Sequence, residues 1–140
     1  MHKLKVGIAG FGIVGKRRFQ YINEHPNLKV TAICEKKSFE KGSEYSEINC
    51  YTKYQDLLDK EDLDIIFICL TNNIAAEVTI ASLKKGLHVF CEKPPGMNVE
   101  EIEKVIDTEK RFPNLKLKYG FNHRYHDSIK KALEIIKSRE

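Results

Sequence analysis

No stretch of this sequence approaches the run of about 20 apolar residues that crosses a bilayer as a helix. The opening Met-His-Lys-Leu-Lys leads straight into a strand-like run, without the apolar core of a leader peptide. Membrane and secretory classes are therefore not expected, and the chain is expected in the cytoplasm. Cysteine is scarce. There are 4, at Cys34, Cys50, Cys69 and Cys91, and no two form a C-x-x-C pair. The spacing signatures of a structural zinc site or a dithiol redox pair are missing, so no metal is expected. Cys34, Cys69 and Cys91 fall in apolar runs, where a thiol in a reducing compartment serves as a small buried hydrophobe. An excess of one charge sign is lacking too. The formal net charge is +4, from 24 Lys+Arg against 20 Asp+Glu. Lysines alternate with acids along most of the chain, which describes a mixed solvated surface and argues against a nucleic-acid partner. Internal repeats and low-complexity linkers are absent. What remains, at 140 residues with 41% hydrophobic and 31% charged content, is a globular chain long enough to bury one real core.

The chain is organised around its first residues. Lys5 to Ala9 is a short apolar run suited to a buried strand, and Gly10, Gly12 and Gly15 follow with the spacing G-x-G-x-x-G. That spacing has a mechanism. The first glycine permits a tight turn out of the strand, the second lets a pyrophosphate approach the backbone, and the third allows close packing of the next helix. The free N–H groups and positive dipole end of that helix then face the phosphates. Gly10, Phe11, Gly12, Ile13, Val14 and Gly15 are accordingly the candidate cofactor-binding loop. The alternative, a glycine-rich turn with no ligand, lacks support from this strand-then-helix context.

The following helix is expected over Ile13 to Glu24, with Val14, Phe19 and Ile22 toward the sheet and Lys16, Arg17, Arg18 and Gln20 toward solvent; His25-Pro26-Asn27 breaks it. Leu28 to Cys34 is the second strand. Glu35 stands just past it, 20 residues beyond Gly15, where a dinucleotide fold places the acid that binds the adenosine ribose. Lys36 and Lys37 complicate that assignment, because a cation there suits a 2′-phosphate. Ser38 to Ser46 reads as a poor helix or loop, Ile48 to Tyr51 as a short strand, and Tyr54 to Leu58 as a helical turn or two. Asp64 to Leu70 is apolar on both faces, as a central parallel strand must be. Thr71-Asn72-Asn73 ends it, with Asn73 as the expected cap of a helix over Ile74 to Lys85 that buries Ile74, Val78, Ala81 and Leu83 and stops at Gly86. Leu87 to Cys91 is the next strand. Asn98 is the expected cap of a helix to about Arg111, with Glu101 at the capping-box position and Ile102, Val105 and Ile106 buried. Leu115 to Phe121 is the sixth strand, and Ile129, Ala132, Leu133 and Ile136 recur at helical spacing after Asp127. Strands alternating with helices predict an α/β doubly wound parallel sheet, a Rossmann fold. Gly10–Gly15, Glu35, Thr71–Asn73 and Glu92–Pro94 all fall at the strand C-terminal ends, the edge where such sheets bind ligands.

Glu92-Lys93-Pro94 is the second chemical clue. A lysine held at a strand end by the following proline can hydrogen-bond a substrate hydroxyl or carry a proton beside a nicotinamide, which makes Lys93 the candidate catalytic residue. Taken alone, a lysine in that place is an ordinary surface residue. His123 and His126, after the sixth strand, read as exposed loop residues and not as bases.

At this point the sequence resembles the Gfo/Idh/MocA family of sugar and cyclitol dehydrogenases, over nearly its whole length. The resemblance is carried by Val-Gly-Ile-Ala-Gly-Phe-Gly-Ile-Val-Gly at residues 6–15, by Thr71-Asn72-Asn73, by Lys85-Gly86-Leu87-His88-Val89-Phe90-Cys91-Glu92-Lys93-Pro94, and by Gly120-Phe121-Asn122-His123-Arg124-Tyr125. It implies NAD as the cofactor, with NADP as the alternative, and hydride transfer to or from a sugar, cyclitol or polyol hydroxyl. It also implies Lys93 at the catalytic site, Thr71, Asn72 and Glu92 near the cofactor, and Asn122 and Arg124 near the nicotinamide and substrate end. Two departures stand out. The family often has Pro after the Thr and His five residues beyond it, where this chain has Asn72 and Ala76. Family members also continue into a second α/β domain that carries the usual catalytic His and Asp, binds most of the substrate and builds the oligomer. The chain is therefore expected to hold a dinucleotide-binding domain over residues 1–121. Residues 122–140 would form a connecting segment and the start of a helix leading to that absent domain. Alone it is expected to be inactive; the longer protein is expected to be a homo-oligomer. Two other functions stay open: a stand-alone NAD(H) sensor, and an NAD-dependent glycosidase of the same family. A methyltransferase shares the glycine-rich turn but leaves Glu92-Lys93-Pro94 without a job.

Overall fold

The computed structural model describes residues 3–36 and 45–138. The strands are β1 (Leu4–Ala9), β2 (Leu28–Cys34), β3 (Asn49–Tyr51), β4 (Ile65–Ile68), β5 (His88–Cys91) and β6 (Leu117–Tyr119). They form one sheet in the order β3-β2-β1-β4-β5-β6, and every pairing is parallel. This is the doubly wound order, with its switch point between β1 and β4. The helices are α1 (Ile13–Glu24), α2 (Tyr54–Lys60), α3 (Asn72–Lys84), α4 (Val99–Arg111) and α5 (Asp127–Lys137), with a 3₁₀ turn over Asn122–Tyr125. Most of the expected Ser38–Ser46 segment lies outside the described residues.

The alternation of side chains along each strand divides the core between the two faces of the sheet. Val6, Ile8, Val30 and Ile33 meet Phe11, Ile22 and Ile48 on one face. Ala9, Ala32, Ile66, Ile68, Val89 and Cys91 meet Leu57, Leu58, Val78 and Leu83 on the other. Burying each large aliphatic side chain of this kind stabilises the fold by about 1.5–3 kcal/mol. The buried thiols are inert. Burial pushes Cys34 and Cys91 up to about 11, whereas Cys50 is exposed.

The bounds of α1, β2 and the end of α4 coincide with the expectations, and Asn98 Oδ1 accepts the Glu101 N–H at 2.9 Å as a cap should. The other arm of the capping box differs. The Glu101 carboxylate takes the Met97 N–H at 2.8 Å, one residue before the cap. Four expectations are corrected. Val14 is exposed, because the inward stripe of α1 runs through Gly15, Phe19 and Ile22. Ile106 is exposed, because α4 buries Val105 and Thr108 instead. The α3 helix begins two residues early, with Thr71 at the N-cap and Asn73 inside the first turn, where its Oδ1 accepts the Thr71 hydroxyl at 2.5 Å. Strands β4 and β6 are shorter than expected, and Phe121 is exposed. Gly86 ends the α3 segment with φ +84, a left-handed turn that favours glycine.

Candidate functional site

A chain of backbone hydrogen bonds builds the C-terminal edge of the sheet. Gly10 N–H donates to the Cys34 carbonyl at 2.8 Å, Cys69 N–H to Ala9 at 2.7 Å, Glu92 N–H to Ile68 at 2.8 Å, and Gly120 N–H to Cys91 at 2.9 Å. Each loop that carries a candidate residue therefore leaves the sheet from a position fixed by its neighbour. The glycine loop, Glu35, Thr71-Asn72 and Glu92-Lys93 are brought to this one edge, with Asn122 and Arg124 just beyond β6.

The three glycines of the loop have separate jobs. Gly10 adopts φ +91, and a Cβ there would lie 2.5 Å from the Cys69 carbonyl oxygen. A Cβ on Gly15 would lie 2.0 Å from the Gly10 carbonyl oxygen, so the close packing this glycine permits is against the loop itself as well as against Ile8. A Cβ on Gly12 would meet nothing within 4 Å. Gly12 caps α1 without a side-chain hydrogen bond, and the first N–H groups of a helix have no partner within it. Open space therefore faces unpartnered helical donors, which suits a pyrophosphate. Ile13 and Val14 flank that space with exposed side chains. The Phe11 ring, by contrast, is buried edge-on against Phe19 and Tyr45, so Phe11 offers the edge its backbone only.

Glu35 lies beside this loop. Its Oε2 accepts the Phe11 N–H at 2.8 Å, which fixes a carboxylate at the end of β2 and next to the glycine loop. Lys36 is exposed beside it, and Lys37 lies outside the described residues.

The Glu92 side chain is turned inward. Arg18 Nε donates to Glu92 Oε1 at 2.7 Å and Arg18 Nη2 donates to the same oxygen. The guanidinium lies over the Phe90 ring, 4.8 Å from its centroid, and Phe90 stacks on Phe67. Arg18 was expected in solvent, yet it follows Gly15 by three residues and so falls on the inward stripe of α1. That stripe was the available signal for it. Beside this pair, burial and then the Glu92 charge push the Cys69 thiol up to about 12. Lys93, one residue on, is exposed at the edge, and its bond to Pro94 is cis. His123 and His126 are exposed, as expected. A groove lined by Lys3, Phe19, Asn23, Leu28 and Ile48 opens at the start of β1 and β2, away from all these residues.

Comparison with known proteins agrees with this fold. The "Oxidoreductase family, NAD-binding Rossmann fold" profile of Gfo/Idh/MocA proteins matches residues 4–121. Inositol 2-dehydrogenase of Salmonella paratyphi B is 29% identical over 98% of this chain and 42% of its own length. The crystal structure of myo-inositol 2-dehydrogenase from Lactobacillus plantarum superposes with a TM-score of 0.89 at 33% identity, covering 97% of this chain and 41% of that one. The structure of scyllo-inositol dehydrogenase from Lactobacillus casei with bound NAD(H) and scyllo-inositol also superposes at 0.89, with 27% identity over 97% of this chain and 41% of that one. The chain thus spans about two fifths of the length of the relatives it matches. With residues 4–121 matched end to end and the doubly wound sheet in place, the chain belongs to the Gfo/Idh/MocA oxidoreductase family and carries its NAD-binding Rossmann fold.

Proposed function

We propose that this chain is the dinucleotide-binding part of a longer NAD-dependent dehydrogenase acting on a hydroxyl of a sugar, cyclitol or related polyol. The observation that carries the proposal is the meeting, on one sheet edge, of the open Gly12 turn, the fixed Glu35 carboxylate and exposed Lys93. The names of the inositol dehydrogenases above support the substrate class. In this reading residues 1–121 hold the cofactor, and 122–140 lead into a substrate domain through which the whole protein forms a homo-oligomer. Its free thiols, Cys34 and Cys91 buried among them, suit the cytoplasm.

The Gly12, Ile13 and Val14 N–H groups hold the pyrophosphate, and Glu35 accepts from the adenosine ribose hydroxyls. Thr71 and Asn72 line the cofactor's path toward Lys93, with the Glu92 backbone beside them and its carboxylate held by Arg18. Asn122 and Arg124 stand at the nicotinamide and substrate end. The nicotinamide, when bound, supplies hydride acceptance or donation. Lys93 hydrogen-bonds the reacting hydroxyl and carries its proton.

Calorimetry on the 140-residue chain should show NAD+ binding, and the longer protein should reduce NAD+ with a polyol while the chain alone does not. Absence of NAD+ and NADH binding up to millimolar concentrations overturns the cofactor role. NAD+ binding without turnover of any sugar or polyol by the longer protein favours the sensor. Glu35 also sets a preference. NAD should bind more tightly than NADP, because a 2′-phosphate meets the Glu35 carboxylate. Glu35→Ser should move the ratio of dissociation constants toward NADP by about tenfold. Equal constants in the wild type would show that Lys36 and Lys37 neutralise the repulsion.

A further inference from the structure

We propose that Arg18 is a positioning residue that holds the Glu92-Lys93-Pro94 turn in place, acting through the Glu92 carboxylate. The side chains of the pair are 22% and 12% exposed, although Arg18 belongs to α1 and Glu92 to the loop after β5. Both Arg18 donors converge on Oε1. The other oxygen, Oε2, rests on Gly120 so closely that a Cβ on Gly120 would lie 2.6 Å from it and 3.3 Å from the Phe90 ring. The carboxylate is thus held between the Arg18 guanidinium and the Gly120 backbone, where an added methyl would displace it.

A buried carboxylate that loses its partner is strongly disfavoured and moves toward water. Glu92 moves toward water by swinging its side chain away from Arg18 and Gly120, which removes the contacts that hold its loop there, and Lys93 is the next residue. Arg18 therefore ties the direction in which Lys93 leaves the sheet to α1, the helix whose N-terminus faces the phosphate space. Proton transfer depends on placement within about 0.5 Å, so a turn that drifts is a turn that works poorly. A lysine at position 18 keeps the charge but loses the planar fork and the stacking on Phe90. The clamp stands on its own geometry; its catalytic consequence rests on the dehydrogenase reading above.

Amide hydrogen exchange on the 140-residue chain tests the clamp. Arg18→Leu should speed exchange at the Glu92 and Gly120 amides by about tenfold or more, while Val6 and Val30 in the β1–β2 pair keep their wild-type rates. Arg18→Lys should recover part of the protection. Glu92→Gln, which keeps an acceptor but removes the charge, is the second variant, with the same expected direction. Gly120→Ala should loosen the same amides, and Arg18→Leu added to it should contribute less than it does alone, because the freed carboxylate can yield to the new methyl. Kinetics of the longer protein test the consequence. Arg18→Leu should lower kcat by about tenfold or more at unchanged NAD affinity, with partial rescue by Arg18→Lys. Unchanged exchange at Glu92 and Gly120 overturns the clamp. Faster exchange with unchanged kcat in an active enzyme overturns the positioning role. A wild-type protein that binds NAD but turns over no polyol fails the dehydrogenase reading alone, and the exchange rates then decide the clamp.

Discussion

Lys93→Ala in the longer protein is expected to lower kcat by about 10²–10⁴-fold, the usual contribution of a positioned acid–base group, while the dissociation constant for NAD stays within about twofold of wild type. The split follows from where the lysine stands. It lies at the end of β5 on the cofactor edge, but on the far side of the switch point from Glu35 at the end of β2. The phosphate and ribose contacts proposed for Gly12 and Glu35 do not involve it. Alanine leaves the Arg18–Glu92 pair and the backbone bond from Glu92 N–H to Ile68 intact, so the turn keeps its anchor. What disappears is the amine that would hold the substrate hydroxyl and take its proton. Steady-state turnover at saturating polyol, paired with calorimetry of NAD, separates the two effects. Unchanged turnover would remove Lys93 from the chemistry. A large loss of NAD affinity would make it a cofactor contact instead.

Gly12→Val is expected to weaken NAD binding by at least about 100-fold, or ~2.7 kcal/mol, and to cost the fold only about 1 kcal/mol, the loss of a good N-cap residue. A Cβ at Gly12 has nothing within 4 Å, and the residue has an ordinary extended backbone with φ −72, so a side chain can leave the backbone there without a clash. The space it fills is the space a pyrophosphate needs to reach the helix N–H groups. Gly15→Ala is the contrast. Its methyl would sit 2.0 Å from the Gly10 carbonyl oxygen, so the cost falls on the fold, at the upper end of the roughly 1–3 kcal/mol typical of overpacking or beyond it. Thermal unfolding and calorimetry of the two variants should therefore separate. Wild-type affinity in folded Gly12→Val would place the cofactor elsewhere.

Most of the fold was legible because its signals are local. Proline and asparagine after Glu24, the β-branched run to Cys34, the Asn98 cap and Gly86 act within a few residues of themselves, and the structure places those boundaries where they point. The glycine loop and Glu35 were legible for the same reason, since a strand, a turn and a helix in sequence order define where they sit. Val14 and Ile106 were misassigned because apolar character is shared by residues on both sides of a helix. Which side is inward depends on how the helix lies on the sheet, and that in turn depends on Gly15 and Thr108 as much as on any apolar residue.

The sequence by itself determined a doubly wound sheet opening on a glycine-rich turn, with a lysine followed by proline at a strand end. Strand period, helix period and turn chemistry are properties of neighbours along the chain. Only the tertiary structure decided that Glu92 is the partner of Arg18 and that Gly120 lies against the carboxylate. Arg18 and Glu92 are 74 residues apart. Their attraction has no signature in either local stretch, and it exists because parallel crossovers bring α1 and the end of β5 to the same face of the sheet.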